Sequence, residues 1–265
     1  MIDRKYLESF YAKYNRKEFI HPDPIEFLSL FENSLDIEIT AFLASSLAYG
    51  RVTQIFNSIE TILKMMQPTP SLFLENNSVK HIEDAFSDFK HRFTTGKEIA
   101  AFLNTVKIII EKSGSMEEFF LAGYNREDEN ILNALTSFVK RFKELGRIGK
   151  TSLLPDPALG SACKRLNLLL RWMVRKDEID YGLWRKVDPA KLIVPLDIHM
   201  YRIGRKLRFT SRKSADMKTA IEITRGFRQI NPEDPIKYDF ALTRPGILNL
   251  EETRQLLELS AWEVA

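Results

Sequence analysis

A single cysteine, Cys163, stands among the 265 residues of the chain. That scarcity excludes an internal disulfide framework and any four-cysteine metal or iron–sulfur site, so no iron–sulfur cluster is expected. Apolar runs are short as well. None approaches the roughly 20 residues that a membrane-crossing helix needs, and the amino-terminal MIDRKYLESFYAKYNRKEF is charged where a secretory signal would be apolar. Strand-like alternation is scarce. No other His or Cys stands at metal-ligand spacing from His199, which therefore reads as an ordinary hydrogen-bonding histidine. These absences leave a cytoplasmic protein with no membrane partner and no expected cofactor.

What is present is a core-forming chain, 44% hydrophobic, long enough for one large or two small domains. Apolar residues recur at steps of three and four nearly everywhere, which predicts an all-α fold. The expected helices are IEITAFLASSLAYG, VTQIFNSIETILKMM, GKEIAAFLNTVKIIIEK, NILNALTSFVKRFKEL, CKRLNLLLRWMVRK, DIHMYRIGRKL, ADMKTAIEITRGFRQI, DPIKYDFALTR and LEETRQLLELSAWEV. Proline and glycine punctuate between them, and Asp234-Pro235 reads as an N-cap with proline at the first helical position. With no repeat and no long linker, residues 1–265 form one globular unit. GRIGKT at 146–151 looks like a phosphate-binding loop but has two residues between its glycines where four are needed, and SLLPDP follows instead of a helix.

Charge is unevenly spread. Residues 1–139, 140–230 and 231–265 carry balances of −6, +13 and −4, so a basic block lies between acidic flanks. Such a region favours a polyanionic partner. Within it, Lys164, Asn167, Arg171 and Arg175 share one strip of a helix, opposite Leu166, Leu169, Leu170 and Met173. In VPLDIHMYRIGRKLRFTSRK (194–213), Asp197 is placed to cap a helix whose buried stripe is Met200, Ile203, Gly204 and Leu207. Its outer face carries Arg202, Arg205 and Lys206, with Arg212 and Lys213 just beyond.

Together the two segments resemble the helix-hairpin-helix DNA glycosylases, in particular their 8-oxoguanine branch. The resemblance rests on a lysine opening a helix that holds a Leu-Arg pair, followed by an Asp-x-His-x-x-Arg helix start: Lys164, Leu170-Arg171, then Asp197, His199 and Arg202. Over most of its length the chain also resembles an uncharacterised bacterial family, through HRFTTGKEI, SLLPDPALGSACKRLNLLLRWMVR, VPLDIHMYRIGRKL and DPIKYDFALTRPGI.

The glycosylase resemblance implies two helical lobes, about 36–185 and about 1–35 with 186–265. It implies a glycosylase and AP lyase acting on an oxidised or damaged base in double-stranded DNA, with a flipped nucleotide reaching Lys164 and Asp197. A neutral lysine amine attacks the anomeric carbon and forms a Schiff base; neighbouring cations, here Arg165 and Arg171, favour loss of its proton. The carboxylate offsets the developing positive charge on the sugar. Arg165, Arg171, Arg175, Arg202, Arg205, Lys206, Arg212 and Lys213 would hold phosphates, and Tyr49, Arg51 and Gln54 would lie near the gap left by the flipped base. One departure stands out: SLLPDPALGSACK has Gly160 and two prolines where the family hairpin carries Gly-x-Gly. Two other readings remain, a DNA-binding protein that has lost the chemistry and a helical scaffold for an acidic protein.

Overall fold

The computed structural model describes residues 3–248 and 250. They are mostly helical, in the order α1 (Arg4–Tyr14), α2 (Ser34–Leu47), α3 (Val52–Met65), α4 (Pro70–Asn76), α5 (Val79–Ala85), a two-stranded antiparallel ribbon of β1 (Lys90–His91) and β2 (Thr94–Thr95), α6 (Gly96–Ser113), α7 (Met116–Leu121), α8 (Leu132–Leu145), α9 (Lys164–Val174), α10 (Ile198–Lys206), α11 (Met217–Arg228) and α12 (Asp239–Ile247). The helices expected from periodicity within this range are all found. The expected helix at 250–264 lies, but for Leu250, outside the described residues. No described helix is long and apolar enough to cross a membrane.

Helix starts follow side-chain chemistry. Asp3, Asn33, Thr69, Ser78, Thr95, Ser115, Asp197 and Asp216 each accept a backbone N–H of the turn they open. Asp23-Pro24, Asp156-Pro157 and Asp188-Pro189 do the same for short 3-10 turns. Asp234-Pro235 does not. Its carboxylate accepts from Arg175 Nε at 2.9 and 3.0 Å, the chain turns, and α12 begins only at Asp239. The helices read from periodicity left out α1, although its buried Leu7, Phe10 and Tyr14 do recur at steps of three and four, and also α4, α5 and α7, which at seven, seven and six residues are too short to show two full turns.

Helix α2 is the axle. Every residue from Asp36 to Leu47 is buried, because α9 and the turn Pro24–Leu30 cover it on different sides. Its acidic groups cap neighbours. Asp36 accepts the Ser71 amide at 2.7 Å, and Glu38 accepts the amides of Met116 and Glu117 and the indole N–H of Trp184. Burial raises the Glu38 pKa above the usual carboxylate range. Helix α12 packs against both α1 and α10. That approach depends on Gly246, where a Cβ would fall 2.4 Å from His199 Nδ1. The close contact of α10 with α12, and of α9 with α2, fixes where the site can lie.

Candidate active site

Lys164 is the first residue of α9 and Asp197 the N-cap of α10. Asp197 does two things at once. Its Oδ1 accepts the Met200 amide at 2.8 Å, while Oδ2 lies 3.9 Å from Lys164 Nζ. The cap locks the carboxylate's rotation, so the second oxygen is held toward the amine. The Lys164 and Asp197 side chains are 39% and 17% exposed, which makes the pair reachable but sheltered.

The pair stands at a cavity of about 280 Å³. Apolar wall comes from Val52 and Ile55 of α3, Leu168 of α9 and Phe240 and Ile247 of α12; Tyr49 and Gly50 form part of the rim, and Arg171, Asp239 and Arg244 complete the lining. A second cavity of about 370 Å³ meets Lys164 from the other side, between Tyr49, Gly160, Cys163 and Asp216. Cys163 is buried, with its thiol pushed up to about 11 by desolvation. It is a packing residue there.

The basic strip of α9 divides in two. Arg171 and Arg175 are only 2% and 4% exposed. Arg171 donates Nε to Asp180 at 3.2 Å and Nη1 to Asp239 at 2.7 Å. Arg175 engages Asp234, Asp177 and Asp180. Desolvation works against both charges, but the carboxylates outweigh it and raise both pKa values. These two arginines are therefore buried and paired within the protein, not on the open polar strip that helical spacing led us to expect. Arg165 is also committed: it donates to the backbone carbonyls of Ser46, Ser152 and Leu153 and lies 4.7 Å from the Tyr49 ring centre. It pins the segment before α9 to the end of α2 rather than facing a strand of DNA.

The cations that do face solvent lie elsewhere. Arg202, Arg205 and Lys213 are exposed and Lys206 is half-buried. Arg212 is drawn partly inward by Asp216 at 2.7 Å and by Thr219. Arg51 and Gln54 are exposed at the start of α3. Tyr49 is half-buried, its hydroxyl donating to the His91 carbonyl at 3.1 Å beside Thr94 Oγ1 at 2.7 Å. That tie brings the β1–β2 ribbon beside the cavity rim. Gly50 (φ 104°) leaves room for the Arg92 side chain, which would lie 2.6 Å from a Cβ there. Next along the turn, Phe93 is 72% exposed.

Sequence reasoning missed Asp180, Asp239, Arg244, Arg92 and Phe93. The signal for two of them was available: Asp239 and Arg244 flank Phe240, Ala241 and Leu242 in the run DFALTR, where a core helix tolerates charge only if it is paired. The hairpin expected before Lys164 takes another shape. Helix α8 ends at Leu145, and a long loop with one 3-10 turn and Gly160 (φ 77°) leads to Cys163, itself at φ 46°.

Neither a curated protein nor a solved structure matches the chain. A family model does match residues 23–248, a span that holds the Lys164–Asp197 pair and all the cavity residues named above. The chain belongs to the family described as "Protein of unknown function (DUF2400)".

Proposed function

We propose that the protein is a base-excision DNA glycosylase and AP lyase with Lys164 as nucleophile and Asp197 as its partner. The observation that carries this reading is the 3.9 Å approach of an amine and a carboxylate from separate helices at the rim of one cavity. Asp197 Oδ2 takes a proton from the Lys164 ammonium, and Nζ attacks C1′ of the extruded nucleotide. The bond from C1′ to the base breaks, its electron pair leaving with the base, which is then protonated. The C1′–O4′ bond then opens, its electron pair going to O4′, which takes a proton from Nζ, and the iminium that remains allows loss of a C2′ proton and cleavage of the C3′–oxygen bond. Once the proton taken from Lys164 has passed from Asp197 to the departing base, the Asp197 carboxylate offsets positive charge on the sugar.

The surface supports this chemistry. Arg202, Arg205, Lys206 and Lys213 supply cations for phosphates beyond the Asp197 side. Arg51, Gln54 and the exposed Phe93 stand on the rim side, where an apolar wedge would fill the gap in the stack. The two-lobed glycosylase architecture belongs to the same proposal. The long loop in place of the family hairpin favours one competing reading, a DNA-binding protein without the reaction.

Borohydride trapping on duplex DNA containing 8-oxoguanine or an abasic site tests the choice. Wild type should give a covalent adduct that Lys164→Ala abolishes and Asp197→Asn reduces. Salt-sensitive binding with no adduct on either duplex would replace the enzyme with the binding protein, and no binding at modest salt would remove both.

A further inference from the structure

Away from its rim, the cavity is lined by buried charge. Arg171, Asp239 and Arg244 are 2%, 3% and 1% exposed. Arg171 Nη1 donates to Asp239 Oδ2 at 2.7 Å, and Arg244 Nη2 donates to Asp23 Oδ2 at 2.6 Å. Those bonds do not use up the group. Arg171 Nη2, Asp239 Oδ1 and Arg244 Nε have no hydrogen-bond partner among the described residues. A buried polar atom left unpaired loses its water without gaining a partner, so folds rarely leave several together. Here two donors and one acceptor belong to residues lining a single cavity.

The composition of the lining narrows what could complete them. Lys164, Arg171 and Arg244 are balanced by Asp23, Asp197 and Asp239. An anion entering would meet three carboxylates and a cation would meet three positive groups. A neutral ligand with both donors and acceptors meets neither penalty. Phe240 supplies a flat wall, its ring centre 4.3 Å from the Arg244 guanidinium and 5.6 Å from that of Arg171. At about 280 Å³, the space is near the lower bound of roughly 300 Å³ for small-molecule sites, suited to one heterocycle.

We infer that Arg171, Asp239 and Arg244 form a base-reading subsite for a nucleobase that carries a carbonyl beside a ring N–H. The guanidinium N–H groups donate to the carbonyl, and the Asp239 carboxylate accepts the ring N–H. Arginine favours paired acceptors on a base edge and carboxylates favour base donors. Adenine-like and cytosine-like edges, which lack that adjacent pair at the ring, leave Asp239 or an arginine unpaired. This inference rests on the glycosylase reading, since it needs a nucleotide extruded into the cavity.

The test is fluorescence anisotropy with duplexes carrying one unpaired, non-cleavable 2′-fluoro nucleotide: guanine, hypoxanthine, adenine, or a tetrahydrofuran abasic analogue. Wild type should bind the guanine and hypoxanthine duplexes roughly tenfold or more tightly than the adenine and abasic ones, in line with one good base-edge pair. In Asp239→Asn and in Arg244→Lys that ratio should collapse toward one, with thermal unfolding run alongside to separate lost reading from lost folding. Tight binding of all four duplexes by wild type with no preference would overturn the subsite and leave the glycosylase reading standing. A preference retained in folded Asp239→Asn would also overturn it. Failure to bind any of the four at modest salt would instead count against the glycosylase reading itself.

Discussion

Arg175→Ala separates a buried arginine from a solvent-facing one. The side chain is 4% exposed, with Nε on both oxygens of Asp234 at 2.9 and 3.0 Å and Nη1 reaching Asp177 and Asp180. Asp180 would keep Arg171, but Asp177 and Asp234 would lose their guanidinium. Removing one member of a buried ion pair costs about 3–5 kcal/mol. For a chain of this size each kcal/mol moves the Tm by about 2–4 °C, so the melting point should fall by roughly 6–20 °C. Lys164→Ala supplies the contrast: a half-exposed amine with one 3.9 Å contact should cost about 0–1 kcal/mol. The assay is thermal unfolding by circular dichroism at pH 7, joined to DNA affinity across a salt series. Arg205→Ala, an exposed cation, should leave the Tm in place and reduce the salt slope by about one. If Arg175→Ala melted within about 2 °C of wild type, or stayed folded and lowered the salt slope as Arg205→Ala does, the side chain would reach solvent and the division of the α9 strip would be wrong.

Asp239 gives a pH signature: burial, partly opposed by Arg171 and reinforced by Asp197 and Asp180, pushes its carboxyl up to about 6. The folded state therefore holds this proton more tightly than the unfolded one, and the stability it adds is full below about pH 4 and lost as pH rises through about 6. Urea unfolding of wild type and Asp239→Asn should diverge by up to about 1.4 kcal/mol per pH unit in that window, wild type gaining on the acid side, and parallel curves would refute the shift. Phe93→Ala, at the 72% exposed ribbon turn, should weaken binding to a duplex with an abasic site about five- to a hundredfold, the equivalent of one lost stacking contact; unchanged anisotropy titrations would remove the wedge. Glu38→Ala strips the acceptor from Met116 N, Glu117 N and Trp184 Nε1. It should cost about 3 kcal/mol in urea unfolding without altering the salt slope for DNA, and a cost below about 1 kcal/mol would show that other groups cap α7.

The helices were legible because burial imposes a period, and a period of three and four needs only enough length to be seen. The pairing of Lys164 with Asp197 was implied by the resemblance to the helix-hairpin-helix glycosylases, which could not supply the distance. What periodicity could not reveal was direction along a helix already covered on all sides. Arg171 and Arg175 share a strip with Lys164, yet α9 is buried from Leu166 to Val174, so only its first turn opens outward. The missing facts were the positions of Asp180, which folds back from the loop just after α9, and of Asp234 and Asp239, which arrive from about 60 residues on, and together they turn a strip of cations into internal ion pairs. The same long-range placement works the other way at α12. Asp239 and Arg244 look from sequence like charges misplaced in an apolar helix. Brought beside α9 and the Asp23 turn they become a neutral set of donors and acceptors lining a cavity whose rim holds an amine and a carboxylate. A charge misplaced by helical periodicity is thus the local trace of a contact that only the fold can supply. In this chain the two clearest such traces, on α9 and on α12, turn out to be partners across 2.7 Å.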